Sequence, residues 1–117
     1  MTKKLDVQVL IDDFVKHAVI QGEATYEGDY KTGNKASNKL FKISKMMERE
    51  REVAQQMLDV LLEHDNISVR IWASGKALDI GYKYAEAVET LKKIAKMSEA
   101  GILGLNAEMS LKVRKLL

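Results

Sequence analysis

The stretch from Leu61 to Leu78 constrains the fold most, because it reads as one helix end, a tight turn and a second helix packed back on the first. Leu58, Leu61 and Leu62 sit at helical spacing and form an apolar stripe that needs a partner. His64-Asp65-Asn66 breaks the pattern. Asp and Asn bond locally to backbone, so Asp65 or Asn66 is expected to cap the next helix. Val69, Trp72, Ala73, Lys76, Ala77 and Ile80 then recur at helical spacing. They predict a buried face on which the Lys76 stem snorkels outward. Small Ala73 and Ala77 allow a close helix–helix approach, and Gly81 suits a left-handed helix end.

The same period predicts further helices on both sides. Helix 1 is expected from Leu5 to about Gln21, ended by Gly22, with Val7, Leu10, Ile11, Phe14, Val15 and Ala18 on one face. Glu23 to Asn34 is read as the one long polar loop, a connector whose Tyr26 and Tyr30 pack down on the helices. Helix 2 is expected from Lys35 to Met47, with Ala36, Leu40, Phe41 and Ile43 apolar. The alternating charges Glu48 to Glu52 read as a solvated start to helix 3, which continues through Val53, Ala54, Met57, Leu58 and Leu61. Helix 5 is expected from Tyr84 to Met97 and helix 6 from Leu103 to Leu116. No segment alternates at period two.

A shift of 34 residues superposes apolar positions: Ala54 on Val88, Met57 on Leu91, Val60 on Ile94, Leu61 on Ala95, Val69 on Leu103, Ala73 on Ala107 and Ala77 on Leu111. Part of this match is the generic helical period. The rest supports a helix-pair repeat, with helices 1 and 2 as a diverged terminal pair. Asp65, Val69, Arg70 and Ala73 resemble the HEAT-repeat turn, although Ile67 stands where that family usually has Pro. The resemblance implies that Arg70 ties back to Asp65. Gly81 to Val88 looks like a tetratricopeptide turn, but the closing Pro is absent. The expected fold is therefore all-α, a short right-handed α-solenoid of about three antiparallel helix pairs (HEAT/armadillo-like), in a single domain over residues 1–117. From Asn38 to Lys115, the Asn-Lys-Leu-Phe start, the Leu-Leu-x-His-x-Asn-x-x-Val-Arg-x-x-Ala turn and the late Ala-Gly-Ile-Leu-Gly-Leu-Asn resemble the bacterial domain-of-unknown-function family two-zero-one-nine. That family implies a fold and no activity. Small helical-repeat proteins also resemble some immunity proteins that neutralise bacterial toxins.

The 117 residues suit one domain with a modest core. There is no Cys and no Pro. Without Cys there is neither disulfide nor thiolate metal site, which fits a reducing cytoplasm. Lys3 and Lys4 are followed by an apolar run broken by Asp6, Asp12 and Asp13, which reads as neither leader nor membrane span. Nineteen Lys and Arg against 17 Asp and Glu give a net charge of +2 with the signs interspersed, so composition alone does not indicate nucleic acid.

The chain has two histidines, His17 and His64, and no metal-ligand spacing such as HExxH. His64 beside Asp65 could act as an oriented base, but a His at a helix end commonly meets free carbonyls instead. Ser44, Ser74 and Ser110 lack a nucleophile-elbow context. Gly101 and Gly104 before helix 6 read as tight packing rather than a phosphate cradle. No cofactor and no catalytic residue is expected. The expectation is instead a non-enzymatic protein-interaction module whose partner could be a toxin domain. Second helices line the concave face of such stacks, which selects Asn38, Lys39, Lys42, Lys76, Asn106 and Glu108 as partner contacts. Trp72 has two readings, packing between helices or an exposed anchor. The alternative function is nucleic-acid binding through Lys35, Lys39, Lys42 and Lys45 with Lys112, Arg114 and Lys115.

Overall fold

The computed structural model describes residues 6–117. Six α-helices follow in order: α1 (Val7–Glu27), α2 (Tyr30–Arg49), α3 (Arg51–Leu61), α4 (Ile67–Ile80), α5 (Tyr84–Ala95) and α6 (Ile102–Val113). A short 3-10 turn, Ser98–Ala100, precedes α6, and there is no strand among the described residues. The predicted helix start at Leu5 lies outside them. None of the described helices is long and apolar enough to cross a membrane.

Local chemistry sets several ends as the sequence implies. Asn66 caps α4, its side chain accepting from the Val69 N–H at 3.1 Å. Gly81 ends that helix in the left-handed region at φ 72°. The His64 expectation is corrected: Nδ1 accepts from the Asn66 N–H at 3.0 Å, so the ring closes the turn rather than meeting carbonyls. The Arg70–Asp65 pair does not form. Asn66 takes the cap, Asp65 stays exposed, and Arg70 Nε is buried without a hydrogen bond among the described residues.

The predicted loop from Glu23 to Asn34 is helical except at a two-residue corner. Helix α1 runs through Gly22 to Glu27, turns at Gly28 (φ 70°), and α2 begins after Asp29, which accepts from the Thr32 N–H at 3.1 Å. Gly22 is not a stop signal but a contact point. A Cβ there would lie 2.6 Å from Ser68 Cβ and 2.9 Å from Ser68 Oγ, while that hydroxyl donates to the Ala18 carbonyl at 2.6 Å. Gly22→Ala is therefore expected to destabilise by about 1–3 kcal/mol, overpacking outweighing better helix propensity. At Gly33 an added Cβ meets Ala24 Cβ at an ordinary 3.5 Å. Gly33→Ala should hold or raise the urea midpoint, and a Gly22→Ala midpoint equal to it would contradict the close contact.

Of the two tyrosines expected to pack down, Tyr26 is anchored only by its hydroxyl, which donates to the Ala100 carbonyl at 2.7 Å; its ring is half-exposed and Tyr30 is exposed. The charge run also divides differently. The chain breaks at Glu50 (φ −110°, ψ 72°), so Glu48 and Arg49 end α2 and Arg51 opens α3.

Helix α4 is central and packs against α1, α3, α5 and α6. Six consecutive residues, Ala73 to Leu78, are buried. This explains why Ala73, Ser74, Gly75 and Ala77 are small: neighbours approach from every side. Gly104 serves the α5–α6 contact, where an added Cβ would come 3.3 Å from the Ile94 carbonyl oxygen. In the pairs superposed by the 34-residue shift, Val69 and Leu103, Ala73 and Ala107, and Ala77 and Leu111 are all buried. Val60 departs, being half-exposed where Ile94 is buried. Helix α1 also touches α6, so the two ends of the described chain meet.

Candidate functional site

Helices α2, α4 and α6 converge on a cleft of about 360 Å³. Its floor is apolar because Phe14 and Leu40 belong to the buried core and Gly75 brings the α4 backbone close. Phe41 and Trp72 stand at its mouth with their rings edge to face, centroids 5.8 Å apart. Ile71 and Met109 extend the apolar wall. The Trp72 indole N–H donates to Gln21 Oε1 at 3.4 Å, which fixes the ring from α1. Trp72 is thus half-buried and partly open to the cleft, combining both sequence readings.

The charges of the cleft are paired. Lys76 Nζ lies 2.6 Å from Glu48 Oε2, joining α4 to α2. That hydrogen bond, with the charge behind it, holds the Glu48 carboxyl below the usual carboxylate range. Arg114 joins α6 to α4. Its Nε and Nη2 donate to the two Asp79 carboxylate oxygens at 3.0 and 3.2 Å. Nη1 donates to the Ser110 carbonyl and hydroxyl, both at 2.8 Å. Nη2 also donates to the Gly75 carbonyl at 3.3 Å, so all five guanidinium N–H groups are used. Arg114 is thus a clamp between α6 and α4. Asn106, Gln21 and Ser44 supply polar atoms between the two ion pairs. Such a site can hold an apolar side chain and hydrogen-bond to backbone beside it.

Of the residues selected from sequence, the cleft gathers Trp72, Lys76 and Asn106. Lys76 corrects its expected role: it is only 7% exposed and ion-paired, not solvated. Asn38, Lys39 and Lys42 are exposed on α2 outside the cleft, and Glu108 pairs with Lys112 at 3.2 Å. Sequence reasoning missed Phe41, Met109 and Gln21. A usable signal existed for two of them. Phe41 lies off the buried α2 row of Ala36, Leu40 and Ile43, and Met109 lies off the α6 row of Leu103, Ala107 and Leu111.

A second feature lies on the outer face of α2, away from the cleft. Lys31, Lys35, Lys39, Lys42, Lys45 and Arg49 fall on one face of α2 at helical spacing, all exposed. None of the six is ion-paired among the described residues. The one acid of this 20-residue helix, Glu48, is turned to Lys76. The interspersion of charge seen in the composition therefore does not extend to this ridge. No group of three or more His, Asp or Glu side chains suited to a metal ion occurs among the described residues.

These features define an all-helical protein with an apolar cleft whose charges are paired and, on the outer face of α2, a cationic ridge. The chain belongs to the family described as domain of unknown function (DUF2019), whose model matches residues 8–114. Its fold is similar to the crystal structure of the protein RPA1889 from Rhodopseudomonas palustris CGA009. The TM-score is 0.70 at 24% identity, over 91% of this chain and 93% of that one. At that identity the likeness concerns the fold alone. Comparison with curated proteins gave no match.

Proposed function

We propose that the chain is a non-enzymatic binding module, a short HEAT-like arrangement of three helix pairs that takes a protein partner in the α2–α4–α6 cleft. The observation that carries this reading is the half-open Phe41–Trp72 pair over an apolar floor. Aromatic residues in such pockets are the usual anchors of interfaces. The ridge on α2 selects a partner whose contact surface is acidic. A toxin domain with an acidic face fits an immunity role; a nuclease does not, because its nucleic-acid groove is itself basic. The soluble compartment expected for such a role is the cytoplasm.

Trp72→Ala and, separately, a Lys39→Glu, Lys42→Glu, Lys45→Glu triple variant test the reading. Each should lower capture of the partner, as measured by pulldown and calorimetry. The ridge variant should keep its thermal melt, since exposed substitutions usually cost within about 0.5 kcal/mol each. Undiminished affinity in both would reject the cleft and the ridge together.

The ridge also favours a second reading, nucleic-acid binding. Helix α2 is long enough, roughly 1.5 Å per residue, to follow several phosphates. Affinity for single or double strands that falls steeply with salt, and is lost in the ridge variant but kept in Trp72→Ala, would put this reading first.

A further inference from the structure

Helix α1 carries a single lysine, Lys16, and no arginine, while its acids are Asp12, Asp13, Glu23 and Glu27. Its neighbour α2 carries the lysines of the ridge. Any of those acids turned toward α2 would neutralise part of that charge. The fold does the reverse. In the groove between the two helices, Lys16 and His17 line one side of a cavity of about 290 Å³, and Lys35 and Lys39 line the other. Ile20 and Ala36 supply its apolar lining. We propose that this cavity binds the phosphate group of a small phosphorylated molecule.

The first support is uncompensated charge. None of Lys16, Lys35 and Lys39 is ion-paired among the described residues. No carboxylate lines the cavity. Two acids lie near it, and both are engaged. Asp13 Oδ1 is 3.3 Å from His17 Nδ1. Asp29 caps α2, accepting from the Thr32 N–H at 3.1 Å. Like charges four residues apart on one helix, as Lys35 and Lys39 are, oppose its formation, and a third cation across the groove adds to that cost. Local conflicts of this kind are expected where a ligand resolves them.

The second support is the histidine. His17 Nδ1 lies 2.8 Å from the Asp13 carbonyl oxygen. A carbonyl only accepts, so Nδ1 carries the hydrogen and Nε2 is left to a ligand. Nε2 can accept from a protonated phosphate oxygen or, itself protonated, donate to an ionised one.

The chemistry of the donors selects phosphate over carboxylate. A planar carboxylate matches the fork of an arginine, and the cavity lining has none. Lysines act as separate point charges, and cations from two helices suit an anion whose oxygens point in several directions. The volume lies at the lower edge of the roughly 300–1,000 Å³ of small-ligand sites, so a phosphate with a small organic group against Ile20 and Ala36 fits it.

Inorganic phosphate and adenosine monophosphate, each titrated into the full chain at constant ionic strength in phosphate-free buffer, should shift the His17 ring resonances saturably. Those of His64, at the α3–α4 turn, should stay in place. Tighter binding of the nucleotide makes the ligand an organic phosphate; equal affinity makes it phosphate itself. Lys16→Gln should weaken binding about tenfold and keep the thermal melt, because the side chain is exposed. Lys45→Gln removes the same charge from the ridge outside the cavity. A loss there equal to that in Lys16→Gln would assign binding to the field of the whole ridge and overturn the site. So would the absence of any saturable shift at millimolar ligand. Lys16 and His17 belong to neither the cleft nor the ridge, so partner capture by Lys16→Gln separates this result from the proposed function.

Discussion

Ala73→Glu is expected to leave no stably folded protein. Ala73 is 0% exposed and begins the fully buried run of α4. That helix is packed by four others, so no direction is open for a longer side chain. Overpacking alone costs about 1–3 kcal/mol. The carboxyl must in addition leave water without a partner, or take up a proton to do so, at several kcal/mol more. Together these are of the order of the total stability of a small domain, about 5–15 kcal/mol. The helical far-ultraviolet circular dichroism signal should fall toward that of an unfolded chain at room temperature. A cooperative melt close to wild type would mean that α4 is not enclosed at Ala73.

The second large effect is at Lys76. Its stem is buried and its ammonium reaches Glu48 at the edge of the cleft. Lys76→Glu sets two carboxylates against each other and leaves the space of the stem unfilled. The expected loss clearly exceeds the roughly 0.5 kcal/mol usual for an exposed substitution, because the Lys76 stem is buried, while water at the Glu48 side screens part of the repulsion. Lys76→Met keeps the volume and removes the charge, and should cost much less. Urea midpoints would decide between them; equal midpoints for the two variants would show that charge at this position is immaterial.

The same pair predicts the acid limb of stability. The hydrogen bond and charge of Lys76 lower the folded-state Glu48 pKa. Asp59 is lowered likewise, first by its hydrogen bond from Tyr82 and then by that from Lys83. A carboxyl with a depressed folded pKa adds stability that is fully present above its unfolded value, about 4.3 for Glu, and is lost as pH falls through the folded value. Stability should therefore decline below about pH 4, in the range where such carboxylates take up protons. Glu48→Gln should be less stable than wild type at neutral pH and show a shallower acid limb.

How far the sequence reaches is clearest at single residues. Asn66, Gly81 and the rows Val69–Ala73–Ala77 and Leu103–Ala107–Leu111 are legible, because capping, left-handed turns and helical period are local physics. Gly22 and Glu50 are misread for the complementary reason. A glycine in a helical pattern looks like a stop until Ser68, 46 positions later, is seen against it. An alternating charge run looks like the start of one helix until Glu48 and Arg49 are seen to end α2 and the chain to turn at Glu50.

The site divides in the same way. Trp72, Lys76 and Asn106 were reachable from the expectation that second helices share a face, whereas Lys39, Lys42 and Asn38 share the helix but not the cleft. Sequence was enough to make the chain helical, to cap α4 at Asn66 and end it at Gly81, and to pick the buried row of α4 and α6, since these follow from interactions within a few residues. The stops of α1, α2, α5 and α6 fall two to six residues from where the pattern put them. Only the tertiary structure decided what each row is buried against. It brought Phe41 to Trp72, Glu48 to Lys76 and Asp79 to Arg114 across separations of 28 to 35 residues for the two ion pairs. Periodicity reports that a face leaves water, and it is the same whatever covers that face.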